Sequence, residues 1–568
     1  MTMESGAVAS CPMHNLSSGA AAEPPPGSIL GALPGFRHFL GDPTPAERFQ
    51  VDGADPRQCA TALATLRRRL RGLALLMSDR PAMGSAGVAE NPRIPSGYTY
   101  LLQLMAHDLV ASSAAFWAPA PTTPGVANTH GAPLRLRTLY GDGPGACPFA
   151  FVPDDIRDQS RSRFRLSAIR GKVGEPDPAK PAFRDIGRAG TPGTLGARGG
   201  QGEALIADAR NDQNALLAQV TSLFEMLHNA ILGMLPPAPS LPVQAARQAV
   251  AARFAVAQEA TALVFRTILR EDLLPRLLDP AVRAAYAGPA PALLDAAADG
   301  AIALEFSHGA SRFGHAMPRD RYQIGEIADA SLAGLIRLTS SRSPNALPLR
   351  RDWVLRWSQF FALPGHPAPN ASMKLGPRHS AMLVADGLFD PIAAGAPFGI
   401  AFRDLMSAGL AGLRSVNDLA AKLRQLRPAL AARSPMLLDA ALRRRALAEW
   451  IGAKPWLSQL GDADVAALAA DPPLPFYVLF EAEREADGEC LGILGSVLLA
   501  ETVHGALLRD PLPAEQGKGG LATALDRLCA ARLGQWRFPD SPVLHDMPGL
   551  VAFVARRLDL QTADPAFL

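Results

Sequence analysis

Residues 202–232 read GEALIADARNDQNALLAQVTSLFEMLHNAIL. Leu216, Leu217, Val220, Leu223, Phe224, Leu227 and Ile231 recur at spacings of three and four, the period of one buried helical face. Directly before them stand Asp208, Arg210, Asn211, Asp212 and Gln213. Asn and Asp at that place cap helices, and acidic groups suit a helix N-terminus. Capping accounts for Asn211 and Asp212. It leaves Arg210 unexplained, because a cation is disfavoured at that end. An Arg held there needs an anion or a polarised oxygen as partner.

Outward from this stretch, helical patterns cover 61–77, 98–116, 241–287, 290–317, 325–338, 352–362, 401–412, 415–426, 435–451 and 491–508. Strand-like alternation is scarce, and LRLRTLY at 134–140 is its clearest case. Residues 172–202, rich in Gly, Pro, Arg and Lys, read as a long irregular loop between strong helices. No repeat of fixed period occurs. The expected fold is mainly α with few short strands. Residues 1–28, rich in Ser, Gly, Ala and Pro, are expected to form a flexible arm. No composition break divides 29–568, so a single domain is expected there.

The 568 residues are 48% hydrophobic and 19% charged, ordinary for a globular core. The net charge of +3 argues against a nucleic-acid footprint, which wants a basic stripe or tail. Fifty of the 56 basic residues are Arg, which follows from gene base composition or from anion contacts. The five cysteines, Cys11, Cys59, Cys147, Cys490 and Cys529, are odd in number and form no CxxC pair. That pattern suits reduced thiols in the cytoplasm better than a disulfide framework or structural zinc. The N-terminus has no basic start followed by an apolar segment, so no secretory signal is expected. No run of about eighteen apolar residues predicts a transmembrane segment.

Two further stretches carry polar groups suited to chemistry. In YTYLLQLMAHDLV, Gln103 and His107 stand four apart and share one helical face, while Asp108 turns away. Taken alone, a satisfied core histidine is the plainer reading of that pattern, and a reactive one the alternative. In IALEFSHGASRFGHAMPRDRY, His308 and His315 are seven apart, and Arg312 lies one turn before His315. HExxH is absent, so zinc is poorly supported. A His ligand with an Arg near it suits haem and a propionate; a packed helix with a surface Arg is the plainer alternative.

Taken together and in order, these segments resemble the animal-type haem peroxidases of the peroxidase–cyclooxygenase superfamily, and more closely its bacterial branch. Gln103, His107 and Asp108 resemble the distal histidine motif. Asp208, Arg210, Gln213 and the terminal His228-Asn229 resemble the distal arginine motif and its helix. Arg312 to His315, Arg-Phe-Gly-His, resembles the proximal motif without change. The stretches at 134–146, 402–420, 474–483 and 490–501 agree, and the resemblance spans roughly residues 90–560.

The resemblance implies a haem-dependent peroxidase that oxidises an organic or small-anion donor with hydrogen peroxide. It implies His315 as the axial ligand of haem iron and Asp404 as the acceptor for its other ring nitrogen. His107 becomes the general base, Arg210 the stabiliser of negative charge, Gln103 a cavity-lining donor and Arg312 the partner of a haem propionate. Relatives attach haem through ester bonds at the positions of Ala106 and Gln213. Neither residue forms an ester, so non-covalent haem b is expected, with Gln213 in the cofactor's surroundings. The calcium ligands of the family fall on Asp108 and on Arg135 and Arg137. A cation does not ligate calcium, so calcium is not expected, and Arg137 is expected to pair with Asp108 in its place. The radical-forming Tyr of the oxygenase branches is Arg312 here, although Tyr322 or Tyr140 remains open for other radical paths. A haem-dependent oxygenase acting on a hydrophobic metabolite and a non-catalytic haem-binding protein are the alternative readings. The reducing substrate stays unidentified at this point.

Overall fold

A computed structural model describes residues 35–568 except 82, 84–88, 113–126, 131–133, 154–159, 173, 179–181, 190–201, 237–242, 289–290, 296–300, 384–398, 518, 534–537, 539–543 and 561–565. The arm expected at 1–28, with Cys11, lies outside the described residues. The chain is mainly helical. Its longer helices are α1 (Ala60–Met77), α2 (Gly97–Leu109), α3 (Ala215–Met234), α4 (Val243–Ile268), α5 (Ile400–Ala411), α6 (Val416–Leu426), α7 (Ala440–Gly452), α8 (Asp462–Ala470), α9 (Leu474–Ala486), α10 (Ile493–Arg509), α11 (Leu521–Leu533) and α12 (Met547–Arg557). Strands occur as two-stranded pairs. One of them joins Phe36–Arg37 in parallel to Ile302–Ala303.

Helix α3 is the centre of the molecule. Seventeen of its 20 residues are buried, including Thr221, Ser222, Glu225 and His228. The sequence predicts one buried face; the structure buries nearly every side, as expected of a helix apolar all round. It is long and apolar enough to cross a membrane, but that window is wholly buried inside the fold. Of its buried polar groups, Ser222 and His228 find partners within the core, whereas Thr221 Oγ1 and Glu225 Oε2 make no hydrogen bond among the described residues. His228 Nε2 lies 2.8 Å from the Ser162 carbonyl, so this nitrogen carries the proton, and Nδ1 accepts from Tyr140 Oη at 2.9 Å.

Several sequence expectations fail for tertiary reasons. Residues 134–140 are not a strand. Leu134 and Leu136 adopt left-handed backbone (φ 60° and 57°), and Arg137–Tyr140 form one helical turn. Each such Leu costs about 1–2 kcal/mol. In return, Leu134 and Leu136 are fully buried, and the Leu136 and Thr138 amides turn onto the Asp108 carboxylate at 2.8 and 3.1 Å.

The stretch 290–317 is not an α-helix. It is a short strand, then a widened π-turn (Glu305–Gly309), then a 3-10 helix (Ala310–Ala316). Glu305 pins the turn: its carboxylate accepts from the Phe39 and Arg414 amides at 2.7 and 2.9 Å and meets His38 Nδ1 at 2.8 Å. Residues 325–338 split into a strand (Ile327–Ser331) and a short helix (Leu332–Arg337), and 352–362 holds only 3-10 turns. The irregular loop expected at 172–202 contains the strand Phe183–Ile186. The helix expected to reach residue 116 ends at Leu109, where Val110 turns extended.

Candidate functional site

The expected site residues converge on one cavity of about 880 Å3. Helix α2 lines one side with Gln103, Ala106 and His107, beside Arg210 and Gln213. The 306–318 segment and α5 line the other with Arg312, His315 and Asp404.

On the 306–318 side, the 3-10 geometry decides the placement. Side chains at i and i+3 eclipse one another in such a helix, so Arg312 and His315 share a face. Both meet Asp404, a largely buried residue of α5. His315 Nδ1 lies 2.6 Å from Asp404 Oδ2, and Arg312 Nε lies 3.8 Å from Oδ1. With Nδ1 given to the carboxylate, Nε2 is the ring nitrogen left to bind a ligand. Arg312 Nε is buried and makes no hydrogen bond. Gly314 also lines this wall, and a Cβ there would sit 3.1 Å from Leu102 Cδ2 of α2. His308 lines the same cavity from the π-turn, and its Nδ1 meets Ser307 Oγ at 2.8 Å.

On the α2 side, Gln103 and His107 face the cavity, as their spacing predicts. His107 Nδ1 lies 3.0 Å from Asn211 Oδ1. An amide oxygen only accepts, so Nδ1 carries the proton and Nε2 presents its lone pair to the cavity. Burial, with help from the Arg210 charge, pushes the His107 imidazole down to about 4. It is therefore neutral through the physiological range. Gln103, Gln213 and Asn214 form a short chain: Gln103 Nε2 donates to Gln213 Oε1 at 3.3 Å, and Asn214 Nδ2 donates to Gln103 Oε1 at 3.2 Å.

Arg210 finds the oxygen partners that its position demands. It forms a two-pronged pair with Asp208, Nε to Oδ1 at 3.0 Å and Nη2 to Oδ2 at 2.6 Å. Its Nη2 also donates to the His107 carbonyl at 2.9 Å, and Nη1 donates to the Val110 carbonyl. These are free carbonyls at the C-terminus of α2, where a cation is favoured. Arg210 thus locks the end of the helix that carries His107. Four of its five N–H donors are spent this way, leaving one Nη1–H. Against the cost of burial, Arg210 holds the Asp208 carboxyl below its ordinary value.

The capping assignment made from sequence is corrected. Asp208 caps the 3-10 turn through the Arg210 amide, and Asn214 caps α3 through the Leu217 amide at 2.8 Å. Asn211 instead holds His107, and Asp212 accepts from the Ser340 amide at 2.8 Å. Asn214 immediately precedes the apolar run, so the capping signal was present two residues beyond Asp212, where it was read. The role of Asn211 has no local signal, because its partner is over one hundred residues away.

The pairing of Arg137 with Asp108 is also corrected. Arg137 reaches Asp142 at 2.8 Å on the surface, and Arg135 pairs with Asp510. Asp108 is fully buried and is satisfied by the Leu136 and Thr138 amides and by Thr138 Oγ1 at 3.3 Å. Burial raises its carboxyl pKa against those bonds. Arg137→Gln is therefore expected to leave thermal stability within about 0.5 kcal/mol. Asp108→Ala strands buried amides, at about 1–3 kcal/mol each. Denaturant melts of the two variants check this, and equal losses would restore the pairing first expected.

Neither tyrosine considered for radical chemistry lines the cavity. Tyr140 is bound to His228, and Tyr322 pairs through its hydroxyl with Tyr100 at 2.8 Å. Tyr100 does line it.

No protein-family model and no curated protein matches the chain. Solved structures do match. A fatty acid alpha-dioxygenase from Oryza sativa aligns at a TM-score of 0.52 with 12% identity, covering 88% of this chain and 80% of its own. A structure of a variant of that dioxygenase with palmitic acid aligns at 0.49, also with 12% identity, covering 87% and 81%. Peroxidase A from Dictyostelium discoideum aligns at 0.48 with 14% identity, covering 83% and 90%. The chain shares the helical fold of the dioxygenase.

Proposed function

We propose that the chain is a haem-dependent peroxidase that oxidises an organic or small-anion donor with hydrogen peroxide. The observation that carries this reading is a pair of imidazoles on one cavity. His315 is backed by the Asp404 carboxylate and His107 by the Asn211 amide, and each offers Nε2 inward.

The residues present fit non-covalent haem b. The cavity volume lies in the range of cofactor sites. Gly314 and Ala106 keep its walls clear of bulk, and Arg312, whose Nε faces Asp404 at 3.8 Å without a hydrogen bond, is a guanidinium suited to a propionate. Haem bound there would supply the redox chemistry between peroxide and an electron donor.

The chain's own groups do the rest. His315 Nε2 would hold the haem iron, and the Asp404 carboxylate would strengthen that ligand by accepting a hydrogen bond from Nδ1–H. Neutral His107 Nε2 takes the proton from one peroxide oxygen and returns it to the leaving oxygen. The remaining Nη1–H of Arg210 serves the charge that develops there. Gln103 and Gln213 orient water or a small anion in the cavity. Calcium has no part in this reading, since the Asp108 carboxylate is already satisfied by backbone amides. A reducing, cytoplasmic setting suits the separate thiols at Cys59, Cys147, Cys490 and Cys529 among the described residues.

With Ala106 and Gln213 at the two ester positions, acid–acetone is expected to extract haem completely. Haem retained on the chain defeats that expectation. A second reading, an oxygenase acting on a hydrophobic metabolite, draws support from the apolar wall of Phe306, Leu332, Leu335, Ile336 and Ile400. Substrate-dependent uptake of dioxygen without peroxide would favour it over the first.

A further inference from the structure

A second cavity of about 640 Å3 shares no lining residue with the first. Helices α4, α10 and α11 wall it, together with residues between 270 and 288 and with Pro511, Glu515, Gly517, Gly519 and Gly520. Leu263, Leu274, Leu278, Leu507 and Leu521 give it an apolar surface, and Arg270, Glu271, Arg283, His504, Glu515 and Arg527 give it a polar one.

His504 is the unexplained group. It is only 9% exposed, it lines the cavity, and it makes no hydrogen bond among the described residues; its ring stacks on Tyr286 with centroids 6.0 Å apart. Its ring nitrogens stay open to the cavity, free to bond whatever enters it. The nearby candidates are already engaged. The Tyr286 hydroxyl donates to Glu501. Glu515 receives Arg266 at 2.9 Å and Arg270 at 3.5 Å. Arg283 is exposed and makes no ion pair among the described residues.

The cavity therefore combines an uncompensated guanidinium at its exposed side, an unpartnered imidazole N–H on its buried side and a leucine wall between helices. We propose that it binds an alkyl carboxylate. The carboxylate would face Arg283 and Arg270, His504 would donate one ring N–H to it, and the alkyl chain would lie on the leucines. Carboxylate and guanidinium match in shape and charge. Phosphate alone would leave the leucine wall unused.

Calorimetric titration of the purified full chain with octanoate tests this, with 1-octanol as the uncharged probe. The expected result is one octanoate per chain and clearly weaker octanol. Arg283→Gln and Leu521→Trp should each weaken octanoate by about tenfold or more. Arg403→Gln, in the first cavity, should leave its affinity unchanged. Arg283 is exposed, so its variant keeps the test valid even where Leu521→Trp fails to fold. The proposal is overturned if octanoate does not bind, if octanol binds equally well, or if Arg283→Gln binds octanoate as the parent does. It is also overturned if Arg403→Gln alone abolishes binding, which would move the ligand to the first cavity.

Discussion

Replacing His107 with alanine is expected to slow the reaction with hydrogen peroxide by about 10²- to 10⁴-fold, the usual contribution of a positioned general base. Stopped-flow absorbance of the haem-loaded chain reads this directly. The pH dependence carries a second signature. The base works only when unprotonated, and its imidazole is pushed down to about 4. The rate constant should therefore stay flat from neutral pH downward and fall only as pH drops through about 4. The Asn211 hydrogen bond favours the protonated ring, so Asn211→Leu should move that acid edge lower still. An edge near the ordinary histidine value, or a His107→Ala chain that keeps the parent rate, would remove His107 from the chemistry.

Replacing His315 with alanine is expected to abolish stable haem uptake, read as loss of the Soret band after reconstitution and gel filtration. Far-UV circular dichroism should be unchanged, because His315 sits at a cavity wall and is not part of the packed core. Added imidazole should restore part of the band by filling the space the side chain leaves. Asp404→Ala acts one step back. It removes the acceptor of Nδ1 and should weaken haem affinity by about 10- to 100-fold, as losses behind a metal ligand do. Arg312 would then keep its propionate role while losing its neighbouring carboxylate. A His315→Ala chain that binds haem as tightly as the parent would assign the ligand elsewhere, and His308, on the same cavity, would be the next residue to replace.

The readable parts of the site were those set by local spacing. Gln103 and His107 share a face because α2 is an ordinary α-helix. Arg312 and His315 were readable as a pair, although they align through 3-10 eclipsing and not through α-helical spacing. What eluded the sequence was decided by distant partners. Arg210 is fixed by carbonyls at the end of another helix, and Asn211 by a histidine over one hundred residues away. Residues 134–140 alternate like a strand, yet Asp108 draws their amides inward and bends them into left-handed backbone. Asp404 was reachable only through family resemblance, because nothing within α5 singles it out. The helical fold itself was legible, since apolar periodicity repeats over most of the chain. The few short strands were expected too, but their places, like the π-turn and the 3-10 turns, were not legible, because each is imposed by packing rather than by propensity.

The central claim is that this cavity holds haem between His315 and His107 and uses it on peroxide. The most direct measurement is the absorption spectrum of the purified, haem-reconstituted chain before and after one equivalent of hydrogen peroxide. The account predicts a Soret band that changes within milliseconds and returns when a phenolic donor is added. A Soret band unmoved by peroxide, in a chain that has taken up haem, would contradict it.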